Sequence, residues 1–118
     1  MIRRITFLRR EQRRTPRYTF IASAELIEEK TDVRIATRVS ELSLNGCYLD
    51  MMNPFPQETQ VLVKIFAGDE SFQAKSKIIY VQPNLGAGVV FLEIEPQPLA
   101  VLQRWLDQAQ KDGQKRSG

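Results

Sequence analysis

Residues 19–39 read TFIASAELIEEKTDVRIATRV, and this stretch contains two alternating segments separated by a polar break. The alternating positions of the first segment share one face: Phe20, Ala22, Ala24 and Leu26. Those of the second segment do the same: Val33, Ile35, Thr37 and Val39. A period of two is typical of strands with one buried face. Because residues 28–32 are polar and suited to a turn, the stretch predicts a hairpin of two half-buried strands.

Four further segments of strand character follow this hairpin, each bounded by turn-forming residues. They are residues 47–50, 60–66, 71–81 and 88–94. The period then changes, and a helical stripe begins after two prolines that suit a helix start. Its apolar positions are Leu99, Leu102, Leu106 and Ala109, with Val101 and Trp105 widening it. Gly113 is suited to the C-terminal stop of this helix.

Six short antiparallel strands and one terminal amphipathic helix predict an all-β dominated fold. The strands would form a closed or nearly closed small barrel, because open sheet edges invite aggregation. The helix either covers a barrel mouth or pairs with another subunit, and packing of its stripe on its own barrel is the favoured interpretation. Monomer and homodimer therefore both remain open.

The composition favours a binding protein over an enzyme. The 118 residues fit one domain, and they include no histidine and a single cysteine, Cys47. Without histidine the commonest general base and the histidine-based zinc sites are excluded. A lone cysteine suggests a reducing, cytoplasmic compartment. No apolar run is long enough to span a membrane, and the N-terminus lacks the apolar region of a secretory signal.

Positive charge is concentrated in the leading segment. Seven arginines against one glutamate give the first 17 residues a charge of +6, whereas the whole chain carries +3. Arginine suits bidentate contacts with phosphate or a guanine edge better than lysine does. A disordered basic tail would show the same charge. The chain is therefore divided into a flexible basic arm (residues 1–12), a barrel domain with its helix (13–112) and a frayed tail (113–118).

Two short motifs flank the predicted hairpin. Arg13 and Arg17 bracket residues 14–16 just before the first strand, and residues 41–46 read ELSLNG at the end of the second. Alternation puts Glu41 and Ser43 on one strand face, beside an Asn-Gly pair in which both residues tolerate positive φ. Leu42 continues the inward pattern of Val39 poorly, which allows a β-bulge near Ser40.

Taken together, the two motifs resemble those of the PilZ-domain family of cyclic di-GMP receptors. The family pattern is Arg-x-x-x-Arg followed by Asp/Asn-x-Ser-x-x-Gly, and here Glu41 stands at the Asp/Asn position. Residues 86–91, GAGVVF, are similar to the family's late Gly-x-x-Phe strand, and the resemblance extends from Arg9 to about Gln110. It implies a six-stranded, split-barrel fold with a C-terminal helix, in a bacterial second-messenger receptor.

The resemblance also implies a ligand site and a mechanism. The implied ligand-binding residues are Arg13, Arg14, Arg17, Glu41, Ser43 and Gly46. Arginine forks would clamp phosphates or guanine N7 and O6, and Glu41 would accept from guanine N1–H and N2–H₂. Cyclic di-GMP is then the ligand, with no metal and no further cofactor, and the ordering of the arm would signal to a downstream protein.

Two alternatives remain. A degenerate PilZ module would bind only a protein partner, and the longer Glu41 side chain at the Asp/Asn position is its main support. A single-stranded nucleic-acid-binding barrel would place the arginine arm on phosphates. Stable nucleic-acid binding is not expected, because Tyr48, Phe66 and Tyr80 look scattered rather than arranged as a stacking platform.

Overall fold

The computed structural model describes residues 5–6 and 15–117, with side chains described for residues 15–112. Within these ranges the elements are β1 (Ile5–Thr6), β2 (Arg17–Glu28), β3 (Arg34–Ser43), β4 (Gly46–Asp50), β5 (Gln60–Ala67), β6 (Glu70–Gln82), β7 (Gly86–Ile94) and α1 (Pro96–Ser117). Within the described residues, no helix is long and apolar enough to cross a membrane.

Six of the strands close a barrel. Their order is β7–β4–β3–β2–β5–β6, and β6 pairs again with β7, so that every strand of the ring has two antiparallel neighbours. The predicted six-stranded antiparallel barrel with a C-terminal helix is therefore confirmed. Closure leaves the ring without an unpaired edge, which is the advantage expected of a barrel.

Strand β1 is an addition that the sequence pattern did not reveal. Ile5 pairs with Ile94 and Thr6 with Glu93, at the end of β7 beyond its pairing with β4. These two residues lie inside the segment predicted as a flexible arm, and a strand of two residues is too short to show an alternation. The segment before the barrel is therefore paired with the barrel at Ile5 and Thr6.

Alternation along the strands fills the barrel with apolar side chains, and Leu102 of helix α1 joins them in the core. The largest fully buried ones are Phe72, Phe91, Leu26, Leu42, Leu49, Ile65, Ile78, Ile94, Leu102, Val39, Val61 and Val63. The prediction of an inward-facing side chain is wrong for Val33, which is 48% exposed. Strand β3 begins only at Arg34, so Val33 belongs to the preceding turn. Its amide bonds the Thr31 hydroxyl there, at 3.3 Å.

A bulge in β3 explains how two residues three apart both enter the core. The register of β3 against β4 shifts between Val39 and Glu41, which leaves Ser40 as the extra residue. Val39 and Leu42 would face opposite sides of a regular strand, yet both are fully buried. The bulge that the sequence allowed near Ser40 is therefore confirmed, and it also turns the following residues towards the motif at 41–46.

Helix α1 packs its stripe on its own barrel, as the sequence favoured. Leu102 is fully buried, and the Trp105 ring stacks on Phe20 with 5.3 Å between ring centroids. The predicted stop at Gly113 is wrong, because the helix continues to Ser117. A glycine costs only about 1 kcal/mol inside a helix, so it marks a helix end only where the backbone turns left-handed.

A polar clasp fixes the helix to the start of β6. The Glu70 carboxylate accepts hydrogen bonds from Arg104 and from the Trp105 indole Nε1, the latter at 3.1 Å. The hydrogen bond from Arg104, followed by that from Trp105, lowers the pKa of Glu70 below its ordinary value. The helix is thus held by both an apolar stripe and a charged contact.

Candidate functional site

Strand pairing brings the two sequence motifs together on the outer wall of the barrel. Arg17 of β2 lies opposite Ser43 of β3, and Thr19 lies opposite Glu41. The arginine motif and the motif at 41–46 are therefore neighbours, although they are separated along the chain by the whole first hairpin. Because directly opposite residues are close across a strand pair, their side chains can act on one ligand.

One row of residues continues from this point across three further strands. Glu41 lies opposite Tyr48 of β4, Tyr48 opposite Gly88 of β7, and Gly88 opposite Tyr80 of β6. We call the region lined by Arg17, Glu41, Ser43, Gly46, Tyr48 and Tyr80 the outer-wall site. It combines a cation, a carboxylate and two aromatic rings on a rigid sheet.

The charged pair of this site is loose. Arg17 Nη1 lies 3.6 Å from Glu41 Oε1, and the two side chains are 57% and 46% exposed. Exposed pairs of this kind contribute about 0–1 kcal/mol, because water screens the attraction and two long side chains must be ordered. Both groups can therefore exchange this contact for one with a ligand at small cost.

Ser43 is buried beneath the turn rather than displayed on the wall. Its hydroxyl accepts hydrogen bonds from the amides of Asn45, at 3.2 Å, and Gly46, at 3.1 Å, and donates to the Gly46 carbonyl oxygen at 3.2 Å. Only 7% of the residue is exposed. Ser43 thus shapes the turn between β3 and β4, and its predicted contact with a ligand stays a prediction.

Gly46 is required for a different reason than the sequence suggested. The described residues with positive φ are Asp32, Glu58, Gly68 and Asn84. The Asn45–Gly46 pair therefore does not use the positive φ that the sequence invoked for it. A Cβ on Gly46 would instead lie 2.1 Å from the Val89 carbonyl oxygen, so the missing side chain allows β4 to approach β7.

Asn45, which the sequence identified only as half of an Asn-Gly turn, makes a contact that the sequence did not predict. It is only 3% exposed, and its Nδ2 donates to Thr15 Oγ1 at 2.7 Å. Thr15 immediately precedes the segment leading into Arg17, so the bond connects the turn to the root of the arm. No sequence signal distinguishes this amide from an ordinary turn asparagine, because the bond spans thirty residues.

The two tyrosines of the site meet each other, which corrects the prediction that the aromatic residues are scattered. The ring centroids of Tyr48 and Tyr80 are 6.2 Å apart, with 34° between the ring planes. Phe66 lies elsewhere on the wall, on β5, and is 43% exposed. The sequence could not show the pair, because their closeness depends on the register of β4 and β6 against β7.

Glycines of β7 make room for these rings. A Cβ on Gly88 would lie 2.1 Å from Tyr80 Cε2, and a Cβ on Gly86 would lie 2.8 Å from Tyr48 Cε2. Each ring therefore occupies the space above a glycine, where any other residue would place its side chain. Gly86 and Gly88 of the segment GAGVVF thus provide the backbone surface on which the two aromatic rings of the site pack.

The surroundings of Tyr48 raise the pKa of its phenol. Burial of the phenol raises its pKa, and the neighbouring Tyr80 and Asp50 raise it further. Its hydroxyl donates to Gln82 Oε1. Asp50 in turn accepts from Arg38 Nη2 at 2.7 Å and from the Ser40 hydroxyl at 3.0 Å. The hydrogen bond to Gln82 and the contacts of Asp50 thus hold the surroundings of Tyr48 in place.

The outer-wall site is an open surface rather than a cavity. The space lined by Arg17, Glu41, Tyr48 and Tyr80 has a volume of about 30 Å³. Pockets that enclose drug-sized ligands measure about 300–1,000 Å³. A ligand larger than this space would therefore lie on the wall rather than inside the barrel.

Two of the predicted ligand-binding residues, Arg13 and Arg14, lie outside the described residues. The other four, Arg17, Glu41, Ser43 and Gly46, are brought together at the outer-wall site. Among the described residues, no group of three or more His, Cys, Asp or Glu side chains could hold a metal ion. The cation, carboxylate and aromatic rings of the outer-wall site suit binding of a polar, ring-containing anion.

Cys47 borders the site but turns its thiol into the core. It is buried, and burial raises the pKa of the thiol to about 12. A thiol with so high a pKa carries almost no thiolate at neutral pH, and the thiolate is the reactive form. Cys47 thus acts as a small apolar residue of the barrel, as the sequence favoured.

Comparison with known proteins agrees with this architecture. A sequence model of the PilZ domain matches residues 11–108. The structure is similar to the PilZ domain of CeSA from a cellulose-synthesizing bacterium, with 16% identity, a TM-score of 0.62, and coverage of 76% of this chain and 93% of that one. It is also similar to the PilZ domain with c-di-GMP of YcgR from Escherichia coli, with 12% identity, a TM-score of 0.66, and coverage of 90% and 97%. No curated protein sequence matches significantly.

Proposed function

Because the matched region spans residues 11–108, this chain belongs to the PilZ domain family, and we propose that it is a receptor module for cyclic di-GMP. The observation that carries the proposal is the juxtaposition of Arg17 with Glu41, Ser43 and Gly46 on one side of the barrel. These are the described residues of the two family motifs. The solved YcgR domain, which has the same fold, contains this ligand.

The chemistry of the ligand complements the arginine. Cyclic di-GMP carries two phosphates and two guanines, and each guanine presents N7 and O6 as paired acceptors. The guanidinium fork of Arg17 suits either the phosphate or this base edge, because it offers parallel N–H donors. We propose that Arg13 and Arg14, which precede it in the same motif, supply the second half of the clamp.

Glu41 provides the complementary acceptor. Guanine N1–H and N2–H₂ are donors, and a carboxylate can accept from both. The loose contact with Arg17, at 3.6 Å, holds Glu41 near the place where the base would lie and is weak enough to be rearranged. Glu41 therefore supports a preference for guanine over adenine, which has no donor at N1.

The remaining motif residues support the site from below. Ser43 and Gly46 fix the turn between β3 and β4, and the Asn45 amide connects that turn to Thr15 at the root of the arm. We propose that ligand binding orders the arm over the wall and that a downstream protein recognises the ordered form. Such ordering costs conformational entropy, which the charge-assisted contacts must offset.

This mechanism requires binding and no covalent step, so we propose a signalling module rather than a catalyst, acting in a bacterial cytoplasm. A degenerate module that binds only protein would share the fold and leave the nucleotide free. A barrel for single-stranded nucleic acid would share the cationic arm, and its binding would decrease steeply with salt.

Calorimetric titration of the full chain with cyclic di-GMP tests the proposal. We expect saturable binding, weaker binding of cyclic di-AMP, and no displacement by single-stranded RNA. The Glu41→Asp variant should bind as well as the wild type or better, since it keeps the carboxylate and restores the family residue. A folded protein that leaves cyclic di-GMP free at millimolar concentration would favour the protein-only module, and displacement by RNA would favour the nucleic-acid barrel.

A further inference from the structure

We propose that Asn45 is a positioning residue for the ligand site, because its side-chain amide holds Thr15 and thereby sets where the motif arginines meet the ligand. The observation that carries this inference is the hydrogen bond from Asn45 Nδ2 to Thr15 Oγ1, which is 2.7 Å long and joins residues thirty apart in the chain. The inference rests on the proposed function and explains how its two motifs act together. Neither Asn45 nor Thr15 is among the predicted ligand-binding residues.

Asn45 is itself held firmly by the barrel. Its backbone amide donates to the Ser43 hydroxyl at 3.2 Å, and its carbonyl oxygen accepts from the amide of Phe91 at 2.8 Å. The residue is also almost completely buried. A side chain that is already ordered loses little conformational freedom when it makes a further contact. Asn45 can therefore hold Thr15 against both the turn between β3 and β4 and strand β7.

Thr15 lies at the position where such a contact restrains the arginine motif. It lies between Arg14 and Arg17 in the chain, and Arg17 is the first residue of β2. Pro16 fixes its own φ at about −65° and disfavours helical conformations of the residue before it, so the backbone from Thr15 to Arg17 has few alternatives. Holding Thr15 therefore also fixes the direction from which the preceding residues reach the outer-wall site.

The consequence for binding is energetic. Arginines on an unrestrained segment must be ordered by the ligand alone, and this ordering reduces the affinity. The bond between Asn45 and Thr15 makes part of that ordering a property of the folded barrel. The alternative is that the bond only satisfies a buried amide, in which case its loss would reduce stability and leave the affinity for the nucleotide unchanged.

Calorimetric titration of Thr15→Val with cyclic di-GMP tests the inference, since valine keeps the shape of threonine and lacks the hydroxyl. We expect binding about 2- to 13-fold weaker than in the wild type, the change that corresponds to about 0.5–1.5 kcal/mol for one hydrogen bond. Thr15→Ser retains the hydroxyl and should restore the affinity.

Thr59→Val is the matched control. The Thr59 hydroxyl also makes a 2.7 Å hydrogen bond, to the carbonyl oxygen of Pro56. It lies just before Val61, which pairs with Glu28 at the end of β2 remote from Arg17. This variant should bind cyclic di-GMP as the wild type does, and a loss equal to that of Thr15→Val would contradict a specific role for Thr15.

A double-mutant cycle with Arg13 separates positioning from a merely structural role. If Thr15 acts by placing the arginines, Thr15→Val should cost less affinity in an Arg13→Ala background than in the wild type, because one of the groups that it places is gone. A structural role, or a direct contact of Thr15 with the ligand, would give the same loss in both backgrounds and would overturn the inference.

Thr15→Ala keeps the inference testable if valine prevents folding, because alanine removes the hydroxyl without adding a branched side chain. Wild-type affinity in the folded variant that lacks the hydroxyl would overturn the positioning role and leave the proposed function standing. A wild type that leaves cyclic di-GMP free would overturn both.

Discussion

Two arginine–glutamate pairs of this barrel have similar exposure but different surroundings. Arg17 and Glu41 on the outer wall are 57% and 46% exposed, and Arg104 and Glu70 at the helix are 58% and 39% exposed. Glu70 has an additional donor, the indole N–H of Trp105, whose ring is almost fully buried. Glu41 instead meets its arginine at 3.6 Å, on the open wall.

The difference shows that an ion pair becomes structural when a buried neighbour fixes one of its members. The helix clasp is fixed because Trp105 cannot leave the core without exposing its ring. The outer-wall pair has no such anchor among the contacts of its two side chains described above, so it can be given up to a ligand. The first region should therefore govern stability and the second should govern binding.

Among these variants, Trp105→Ala should cause the largest loss of stability in the helix region. We expect the free energy of unfolding to fall by about 3–5 kcal/mol, because the substitution removes a buried ring that packs on Phe20 and Phe72 and also removes a donor to Glu70. Urea denaturation measures this loss. The exposed helix residue Gln103 supplies the control, and a Trp105→Ala loss no larger than that of Gln103→Ala would contradict the packing.

The outer-wall region should respond in the opposite way to Arg17→Ala. We expect affinity for cyclic di-GMP to fall by about 1.5–3 kcal/mol, the scale of a hydrogen bond to a charged group, with stability almost unchanged. Arg34→Ala is a matched control, because Arg34 also lies 3.6 Å from a glutamate, Glu25, and is also 57% exposed. Calorimetry that finds equal losses in the two variants would refute a specific role for Arg17.

Ser43→Ala tests whether the motif serine supports the wall or contacts the ligand directly. Its hydroxyl satisfies the amides of Asn45 and Gly46, so we expect the free energy of unfolding to fall by about 1–3 kcal/mol. The exposed Ser71→Ala variant should lose much less. Unchanged stability together with lost affinity, measured on the same samples, would assign Ser43 to the ligand alone.

The smallest effect should be the pH dependence of the clasp. The folded-state pKa of Glu70 is lowered from its ordinary value of 4.5, so its contribution to stability is present above that pH and is lost as the pH falls further. In Glu70→Gln this titrating contribution is absent. Denaturation midpoints at pH 6 and pH 3 should therefore differ more in the wild type than in the variant, and equal differences would exclude the clasp as a source of acid sensitivity.

The sequence was sufficient for the architecture because the barrel depends on local signals. Alternation identified the first two strands, and turn-forming residues marked the bounds of the other four. A change of period identified the helix, and the misfit of Val39 with Leu42 pointed to the bulge at Ser40. Helix and strand ends were less well predicted, as Gly113 and Val33 show. At those positions the backbone conformation, which residue type alone does not specify, decides where an element ends.

The candidate site could be predicted only in part. The family motifs identified Arg17 and Glu41, but they did not reveal that Ser43 is buried or that Gly46 is required by the carbonyl of Val89. The contact between Tyr48 and Tyr80 could not be predicted from the sequence for a related reason. Tyr48 and Tyr80 come together only through β7, which reaches both strands from more distant parts of the chain.

Strand β7 also determines when the protein can finish folding during synthesis. It is the last strand of the ring in chain order, yet it lies between β4 and β6 and closes the barrel on both sides. Until residue 94 has left the ribosome, β4 and β6 each present an open edge on which neighbouring nascent chains could pair. Premature termination before Gly86 would therefore yield an open, aggregation-prone sheet rather than a smaller functional protein.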